Sequence, residues 1–405
     1  MGWRDWFGLT PTRDDFAHQL IRMAERRGNG GWAYEPAEFI LRGQEGAQLF
    51  LGNIYLEYSQ AKAARRKDLL EKYMAVFLAP SRSVPDLWQL AARGIYVVIR
   101  SRSAGTALEI AGRTEAKPFP PIVKWPWLGD LTFVLVYDFG QHMAQVNHER
   151  ADVWGRPLEE LRECALANLR ALPRPHWEPA GNGLFRLFSD ASYEESLLLM
   201  DSIFNFLKVR GNPVVAIPNR GVLLAAGSDQ PAGLAALIEQ AHHSMGSAPW
   251  PLSGTLLERT ASGWQVFTPP AELAAGARTL QTMSLAISYR DQEEALQKHC
   301  EKIGDDVYVA TFSTIRKKQA PQVVHSWCSW AQGIASLLPR TDLIAFTKTP
   351  AASERETLLV AWDEVERVCG HHLRKTDEDP ARYRVEGFPS ESEWQQLKQS
   401  PFGLD

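Results

Sequence analysis

The spacing of apolar residues along the chain predicts alternating helices and strands. Phe16, Leu20, Ile21 and Ala24 recur at helical spacing, and Gly28 can close that first helix. The same reasoning predicts a strand or turn over residues 49–56, then a long helix with Leu69, Leu70, Met74 and Phe77 on its buried side. Further helices are expected over residues 84–94, 157–172, 191–211, 228–245, 321–338 and 390–399. Ser192 is expected to begin the helix over 191–211, in a capping box with Glu195. Short apolar runs predict strands over residues 95–102, 131–137, 184–190, 214–217, 306–315, 342–348 and 357–365.

Two proline-rich segments divide this pattern. They cover residues 172–183 and 267–276, and both interrupt the apolar periodicity. We therefore expect three consecutive modules: an N-terminal α/β module over 1–172, a central α/β module over 183–268 and a C-terminal α+β module over 276–405. The predicted fold class is α/β or α+β, with several modules and mixed sheets flanked by helices.

Composition narrows the class of protein. The 405 residues are 45% hydrophobic and 23% charged, with a net charge of -4, which is typical of a globular protein and gives no support to nucleic-acid binding. The four cysteines are too few and too scattered for a disulfide framework, so a reducing cytoplasm is expected. The N-terminal segment lacks the apolar run of a secretory signal, and no window reaches the length of a membrane span, so no membrane association is expected.

A corner near the middle of the chain carries the first candidate site. The β-branched run Val214–Ile217 ends at Pro218-Asn219-Arg220-Gly221, whose residue types are typical of a turn at a sheet edge. If the strands over 184–189 and 213–218 are neighbours, Asp190 and Glu194 can reach Arg220. Such a cluster could orient a phosphate or a carboxylate. In the other interpretation, Arg220 only ties the turn to a carboxylate that caps a helix.

Histidine and cysteine concentrate near the C-terminus and suggest a second candidate site. His325, Cys328, Cys369 and His371 could supply the four nitrogen or sulfur donors that zinc requires. The spacings match no standard zinc finger, however, and Cys328 falls in a predicted core helix. Coincidence is therefore the favoured interpretation, no cofactor is expected, and zinc is the alternative.

Other catalytic patterns find little support. Asp86 followed by Glu115 and Lys117 has the spacing of a restriction-type nuclease, but Pro118 and Gly112 indicate a loop rather than a central strand. The chain has no nucleophile elbow, phosphate-binding lysine loop, zinc-protease motif or Cys-x-x-Cys pair. Fourteen tryptophans, among them Trp125 and Trp127 in predicted loops, are compatible with a protein interface or with burial inside each module.

One segment resembles a known family. The Tyr-Glu-x-Ser-Leu pattern from Tyr193 to Leu197, coupled to the Ile-Pro-x-Arg turn at 217–220, is similar to the YtpQ-like bacterial proteins of unknown function. The helix over 160–172 and the strand over 131–140 add to the resemblance, which covers about residues 10–250. An acidic residue often follows that arginine in the family, whereas Gly221 stands here. The resemblance implies a cytoplasmic bacterial α/β protein and names no activity.

These patterns favour a non-enzymatic cytoplasmic binding or adaptor protein that acts through contacts with a protein partner. The interpretation depends on the lack of a coherent catalytic constellation and on the C-terminal module outside the resemblance. The alternative is an enzyme or a small-anion-binding protein whose site lies near Asp190, Glu194 and Arg220.

Overall fold

The computed structural model describes residues 10–36, 39–43, 48–77, 84–103, 105–113, 120–140, 143–191, 193–317, 323–348 and 356–403. Helices and mixed or antiparallel sheets make it an α+β protein with several modules, as expected. The described helices are α1 (Arg13–Glu25), α2 (Gly52–Gln60), α3 (Ala63–Phe77), α4 (Trp88–Ala91), α5 (Thr106–Gly112), α6 (His148–Val153), α7 (Leu158–Arg170), α8 (Glu194–Leu197), α9 (Pro231–Ser247), α10 (Ala271–Ile303), α11 (Trp362–Cys369) and α12 (Glu391–Leu397).

The strands are numbered in the same way. They are β1 (Ala33–Glu35), β2 (Ile40–Arg42), β3 (Gln48–Phe50), β4 (Ile95–Ser101), β5 (Lys124–Pro126), β6 (Leu131–Asp138), β7 (Met143–Gln145), β8 (His176–Gly181), β9 (Leu184–Phe188), β10 (Pro213–Ala216), β11 (Leu224–Gly227), β12 (Leu257–Thr260), β13 (Gly263–Val266), β14 (Tyr308–Val309), β15 (Ser313–Arg316), β16 (Val324–Ala331), β17 (Ser336–Pro339), β18 (Leu343–Lys348), β19 (Glu356–Ala361), β20 (Arg374–Lys375) and β21 (Arg382–Val385). Short 3₁₀ helices cover Asp201–Phe206 and Gly370–His372.

The chain divides into two compact units. Unit 1 contains residues 1–97, 135–172 and 244–251, and unit 2 contains residues 98–134, 173–243 and 252–405. The division falls inside β4, β6 and α9, so the chain passes between the units several times. The three module boundaries expected from the sequence stay a prediction.

Unit 1 is built around the N-terminal helices and a small antiparallel sheet in the order β1-β2-β3. The helix expected around Phe16 is confirmed as α1, and Thr12 begins it by accepting a hydrogen bond from the Asp15 N–H. Phe16 and Leu20 pack with Leu41 and Tyr58 in the core of this unit. The amphipathic pattern of the described residues between 10 and 77 therefore builds one local core.

Among the described residues, three sheets lie wholly within unit 2. The largest has six strands in the order β13-β12-β10-β11-β9-β8, and two four-stranded sheets follow the orders β14-β17-β21-β20 and β15-β16-β18-β19. Val214 and Ala226 on the large sheet pack against Leu237 of α9 and Leu280 of α10. A separate aromatic core near the C-terminus contains Trp330, Trp362 and Trp394, each at most 1% exposed.

Two predicted helices are wrong. The described residues 323–338 of the first hold β16 and β17 rather than a helix, and Val324, Ser326, Cys328 and Trp330 alternate towards the core with the period of a strand. The described residues 191 and 193–211 of the second form only the four-residue α8 and the 3₁₀ helix Asp201–Phe206. Ser192, expected to begin that helix, lies outside the described residues.

Several other predictions are confirmed. The apolar runs at 131–137 and 342–348 form β6 and β18, and the run at 228–245 forms most of α9. The C-terminal helix is α12, which Ser390 begins with a capping box to Glu393. Within the described ranges, no helix combines the length and apolarity needed to cross a bilayer.

Candidate functional site

The corner after β10 has the turn geometry that its residues favour. Ile217 and Asn219 are buried, with 0% and 1% of their surface exposed. Gly221 has φ 73°, a left-handed conformation that glycine adopts without strain and other residues rarely adopt. On the other side, the Leu252 N–H donates to the Pro218 carbonyl at 2.8 Å. The corner is thus fixed at both ends, and it presents Arg220 at its outer side.

A buried glutamate joins this corner to β4. Glu195 is 4% exposed, and its Oε1 accepts a 2.8 Å hydrogen bond from an Arg100 terminal nitrogen. Its other oxygen, Oε2, accepts the Gly221 N–H at 2.9 Å. The neighbouring Ser196 Oγ accepts the Ile99 N–H at 3.1 Å. Two adjacent residues of α8 therefore bind a strand edge and a turn that lie far apart in the sequence.

Arg220 lies beside this ion pair. Arg220 is an exposed residue, although neighbouring protein atoms partly desolvate its guanidinium, and Arg100 adds a like charge. Together these effects lower the pKa of Arg220 to about 10, against the opposing influence of Glu195. The side chain still carries a full positive charge at neutral pH. Two guanidinium groups are therefore held within electrostatic reach of each other.

Glu194 and Arg186 are two further charged residues near the Arg220 corner. Burial raises the pKa of the half-buried Glu194, with a smaller contribution from Glu195, while Arg186 opposes the shift. The Arg186 Nε atom is buried without a hydrogen-bond partner, and its guanidinium lies 5.0 Å from the centre of the Phe188 ring. We call Arg100, Arg186, Arg220, Glu194 and Glu195 the arginine–glutamate cluster.

Of the three residues predicted to form this site, Glu194 and Arg220 lie near each other and Asp190 does not join them. A Cβ atom placed on Gly221 would lie 3.9 Å from Glu194 Oε2, so Glu194 borders the Arg220 corner. The expected neighbouring strands are not adjacent, because β11 lies between β9 and β10. Asp190 lies on the exposed loop after β9, and among the described residues it forms no ion pair with the cluster.

Sequence reasoning missed three residues of the cluster, namely Arg100, Arg186 and Glu195. Glu195 has the sequence position of a helix-capping residue, and that local signal hid its role in a buried ion pair. Arg100 is a charged residue that directly follows the apolar run Ile95–Ile99. A charged residue at the end of a buried strand is the one signal that could have identified it.

The four predicted metal ligands do not converge. Cys328 and Cys369 are 0% exposed in the C-terminal core, and burial raises the pKa of each thiol to about 12. His325 lies three residues before Cys328 on β16 and therefore faces the opposite side of the sheet. His371 lies near the surface beside His372 and Glu393. In the described parts of the chain, His371, His372 and Glu393 form the one group of three potential metal ligands whose donor atoms all lie within 4.8 Å of one another.

His325 borders a separate concave surface of unit 2. This cleft of about 790 Å³ is also lined by Arg278, Asp342, Trp362 and Phe402. Burial, followed by the charge of Arg278, lowers the pKa of His325, so its imidazole is neutral at neutral pH. The Asp342 Oδ1 accepts a 2.7 Å hydrogen bond from Arg278, and its Oδ2 accepts the Ser326 N–H at 2.8 Å. The polar groups of the cleft are thus largely paired with one another.

The nuclease pattern is not testable in the structure, because Glu115 and Lys117 lie outside the described residues. Asp86 is exposed at the surface of unit 1, where it forms an ion pair with Arg150.

Comparison with known proteins gives one match of limited extent. A UPF0354 protein of Shouchella clausii (strain KSM-K16) is 29% identical to this chain over 120 residues, which are 29% of this chain and 45% of that protein. The chain thus spans less than half the length of this relative. No family model and no solved structure matches the chain. The chain is therefore similar, over this segment, to part of a bacterial UPF0354 protein.

Proposed function

We propose that this chain is a non-enzymatic binding protein that recognises an anionic group through the arginine–glutamate cluster. The observation that carries the proposal is the closeness of Arg100 and Arg220, which is sufficient for Arg100 to lower the pKa of Arg220. Like charges repel, so the fold holds these two cations together at a cost. A bound anion would offset that repulsion.

The charges of the cluster favour an anionic ligand. Three guanidinium groups face two carboxylates, and the Glu195 carboxylate is already bound to Arg100 and to the Gly221 N–H. Burial raises the pKa of Glu194 and so disfavours its negative charge. An anion entering at Arg220 therefore meets a local excess of positive charge.

Guanidinium geometry defines the class of ligand. The planar fork of an arginine donates two parallel hydrogen bonds to a carboxylate or a phosphate. The unsatisfied Arg186 Nε offers a further donor in the same cluster. We therefore expect a small carboxylate or phosphate group, free or carried on a larger molecule.

Titration calorimetry on the full chain tests this proposal, with inorganic phosphate and succinate as probes. We expect Arg220→Ala to weaken binding about tenfold or more, since hydrogen bonds to charged groups contribute about 1.5–3 kcal/mol. Arg220→Lys keeps the charge but loses the fork, so it should restore only part of the affinity. The control is Arg290→Ala, an exposed arginine of unit 2 that pairs with Asp291.

The outcomes are distinct. Weaker binding in Arg220→Ala, with an unchanged melting temperature and a normal Arg290→Ala control, supports the anion site. A melting shift without any anion binding to the wild-type chain supports the turn-anchoring role instead, and it overturns the proposal.

A contact with a protein partner is the second candidate, and an exposed aromatic ring favours it. Phe206 is 74% exposed at the end of the 3₁₀ helix Asp201–Phe206. Two residues earlier, Phe204 is anchored 5.4 Å from Trp264 and 6.0 Å from Trp177, measured between ring centres. An aromatic side chain presented on an anchored turn is typical of interface contacts.

Crosslinking from a bacterial lysate tests the partner contact. We expect Phe206→Ser to lose a specific crosslinked partner while Leu285→Ser, a 39% exposed apolar residue of α10, keeps it. Equal capture by both variants would place the contact elsewhere and remove Phe206 from the proposal.

We also propose a distant relationship to the YtpQ-like family and a cytoplasmic location. The two segments that carry the resemblance meet where Glu195 accepts the Gly221 N–H, which supports a shared local structure. All four cysteines lie in the described residues and are free thiols, which suits a reducing compartment. Anion binding by arginines requires no cofactor.

A further inference from the structure

We propose that His371, His372 and Glu393 form a binding site for a transition-metal dication such as Zn²⁺ near the surface of unit 2. The site is distinct from the four-residue set expected from the sequence, with which it shares only His371. The three side chains come from two neighbouring elements, the 3₁₀ helix Gly370–His372 and the first turn of α12.

The separations between the ligand atoms carry the proposal. The Nε2 atoms of His371 and His372 face the two Glu393 oxygens at 3.5 and 3.8 Å. These distances are long for hydrogen bonds. They are close to the separation of about 3.4 Å expected between two ligand atoms on one tetrahedral zinc, given bonds of about 2.0–2.1 Å.

The three side chains are held in place independently of a metal. The Ser390 N–H and hydroxyl donate to Glu393 Oε2, each at 2.7 Å, as part of the capping box that begins α12. The His372 ring packs edge-on against Trp330 with 6.0 Å between ring centres, and it lies tilted by 36° against the His371 ring with 4.2 Å between ring centres. Preorganised ligands lower the cost of ordering the site when the metal binds.

The donor set indicates the class of metal. Two imidazole nitrogens and one carboxylate oxygen suit Zn²⁺, Co²⁺ or Ni²⁺, whereas Mg²⁺ and Ca²⁺ prefer oxygen ligands alone. The side chain of His371 is 66% exposed, while those of His372 and Glu393 are 22% and 15% exposed. Three protein ligands with one open side leave room for a water molecule at the fourth position, as in open zinc sites.

Metal titration of the full chain tests the site after treatment with a chelator. Calorimetry with Zn²⁺ alone should show one equivalent bound, and Co²⁺ should give the visible absorption of a tetrahedral site. We expect His372→Ala to weaken Zn²⁺ binding about tenfold or more, since loss of even an outer-shell partner costs about 10–100-fold.

Two variants separate the metal site from the helix cap. Glu393→Gln keeps an acceptor for Ser390, because glutamine also serves in a capping box, but it removes the carboxylate ligand. It should therefore weaken Zn²⁺ binding without lowering the melting temperature of the metal-free chain. Ser390→Ala should lower that melting temperature and still bind one equivalent of Zn²⁺.

An adjacent histidine pair elsewhere in the chain provides the matched control. His242 and His243 are exposed neighbours on α9, and among the described residues they do not belong to a three-ligand group. The double variant H242A/H243A should bind Zn²⁺ as the wild type does. Loss of binding in this control, wild-type affinity in Glu393→Gln, or no Zn²⁺ binding by the wild-type chain would each overturn the proposal.

Discussion

Arg100 and Glu195 form a buried ion pair in unit 2, with side chains only 12% and 5% exposed and a nitrogen–oxygen distance of 2.8 Å. The two residues are 95 positions apart in the sequence. Arg100 also donates to the Ile99 carbonyl at 2.7 Å, so its guanidinium serves both the strand and the glutamate. The same glutamate accepts the Gly221 N–H, and the pair therefore holds the Arg220 corner in place.

Glu195→Gln is expected to destabilise the chain. The amide can still accept one hydrogen bond, but the buried positive charge of Arg100 then lacks its carboxylate partner. Breaking a buried pair in this way typically costs about 3–5 kcal/mol. Urea unfolding measures the change, with the exposed Glu239→Gln on α9 as the control. A Glu195→Gln chain as stable as the wild type would mean that solvent reaches Arg100 freely.

Arg382 gives a second stability prediction, because it is 0% exposed and its hydrogen-bond partners are all uncharged. Burial lowers its pKa to about 10, so it remains a cation at neutral pH. Its guanidinium donates to Gln292 Oε1 at 2.6 Å and to the carbonyls of Ala310 at 2.7 Å, Leu337 at 3.0 Å and Tyr289 at 3.1 Å.

Arg382→Met should destabilise the chain by about 3 kcal/mol or more, since each buried acceptor left unpaired costs about 1–3 kcal/mol. Arg382→Lys should also be destabilising, because an ammonium group cannot reproduce the planar fork. Thermal and urea unfolding measure both variants, and the exposed Arg290→Met serves as the control. If Arg382→Met were as stable as the wild type, the carbonyls would have found water or other donors.

Local patterns predicted elements well where one signal dominated. The helix α1 and the strand β6 have clear periodicity and clear ends, and both are confirmed. In residues 321–338, polar residues such as Ser326 are mixed with apolar ones such as Trp327 and Cys328. The spacing of the apolar residues in this segment fits either a helix or a strand. The strand is selected by pairing of β16 with β15 and β18, which local sequence does not contain.

The candidate site was only partly predictable for the same reason. The turn residues Pro218 to Gly221 correctly predicted a corner, and the glycine has the positive φ that such a turn uses. Glu195 looked like a helix cap because its nearest neighbours in sequence support that role. Its partner in the structure is Arg100, which contacts it only because β4 lies beside α8 in the fold. This tertiary contact cannot be predicted from the residues around Glu195 in the sequence.

The raised pKa of Glu194 predicts a stability change that depends on pH. Burial is the main cause, so the folded chain disfavours the charged carboxylate. Below the unfolded pKa of about 4.3, both states hold the proton and the penalty is absent. Between the unfolded pKa and the higher folded pKa, the unfolded chain releases the proton while the folded chain still holds it. The free energy of unfolding therefore falls as pH rises through the folded pKa.

Glu194→Gln removes this penalty because its amide does not ionise. At neutral pH we expect the variant to melt at a higher temperature than the wild type, and at about pH 4.5 the difference should shrink towards zero. Glu239→Gln is the control for a general effect of removing one negative charge. A gain that is equal at both pH values would point to better packing of the amide rather than to titration. A loss of stability at neutral pH would instead show that the ionised Glu194 is stabilised by Arg186 or Arg220 by more than burial costs, and the local positive excess of the cluster would then be smaller than proposed.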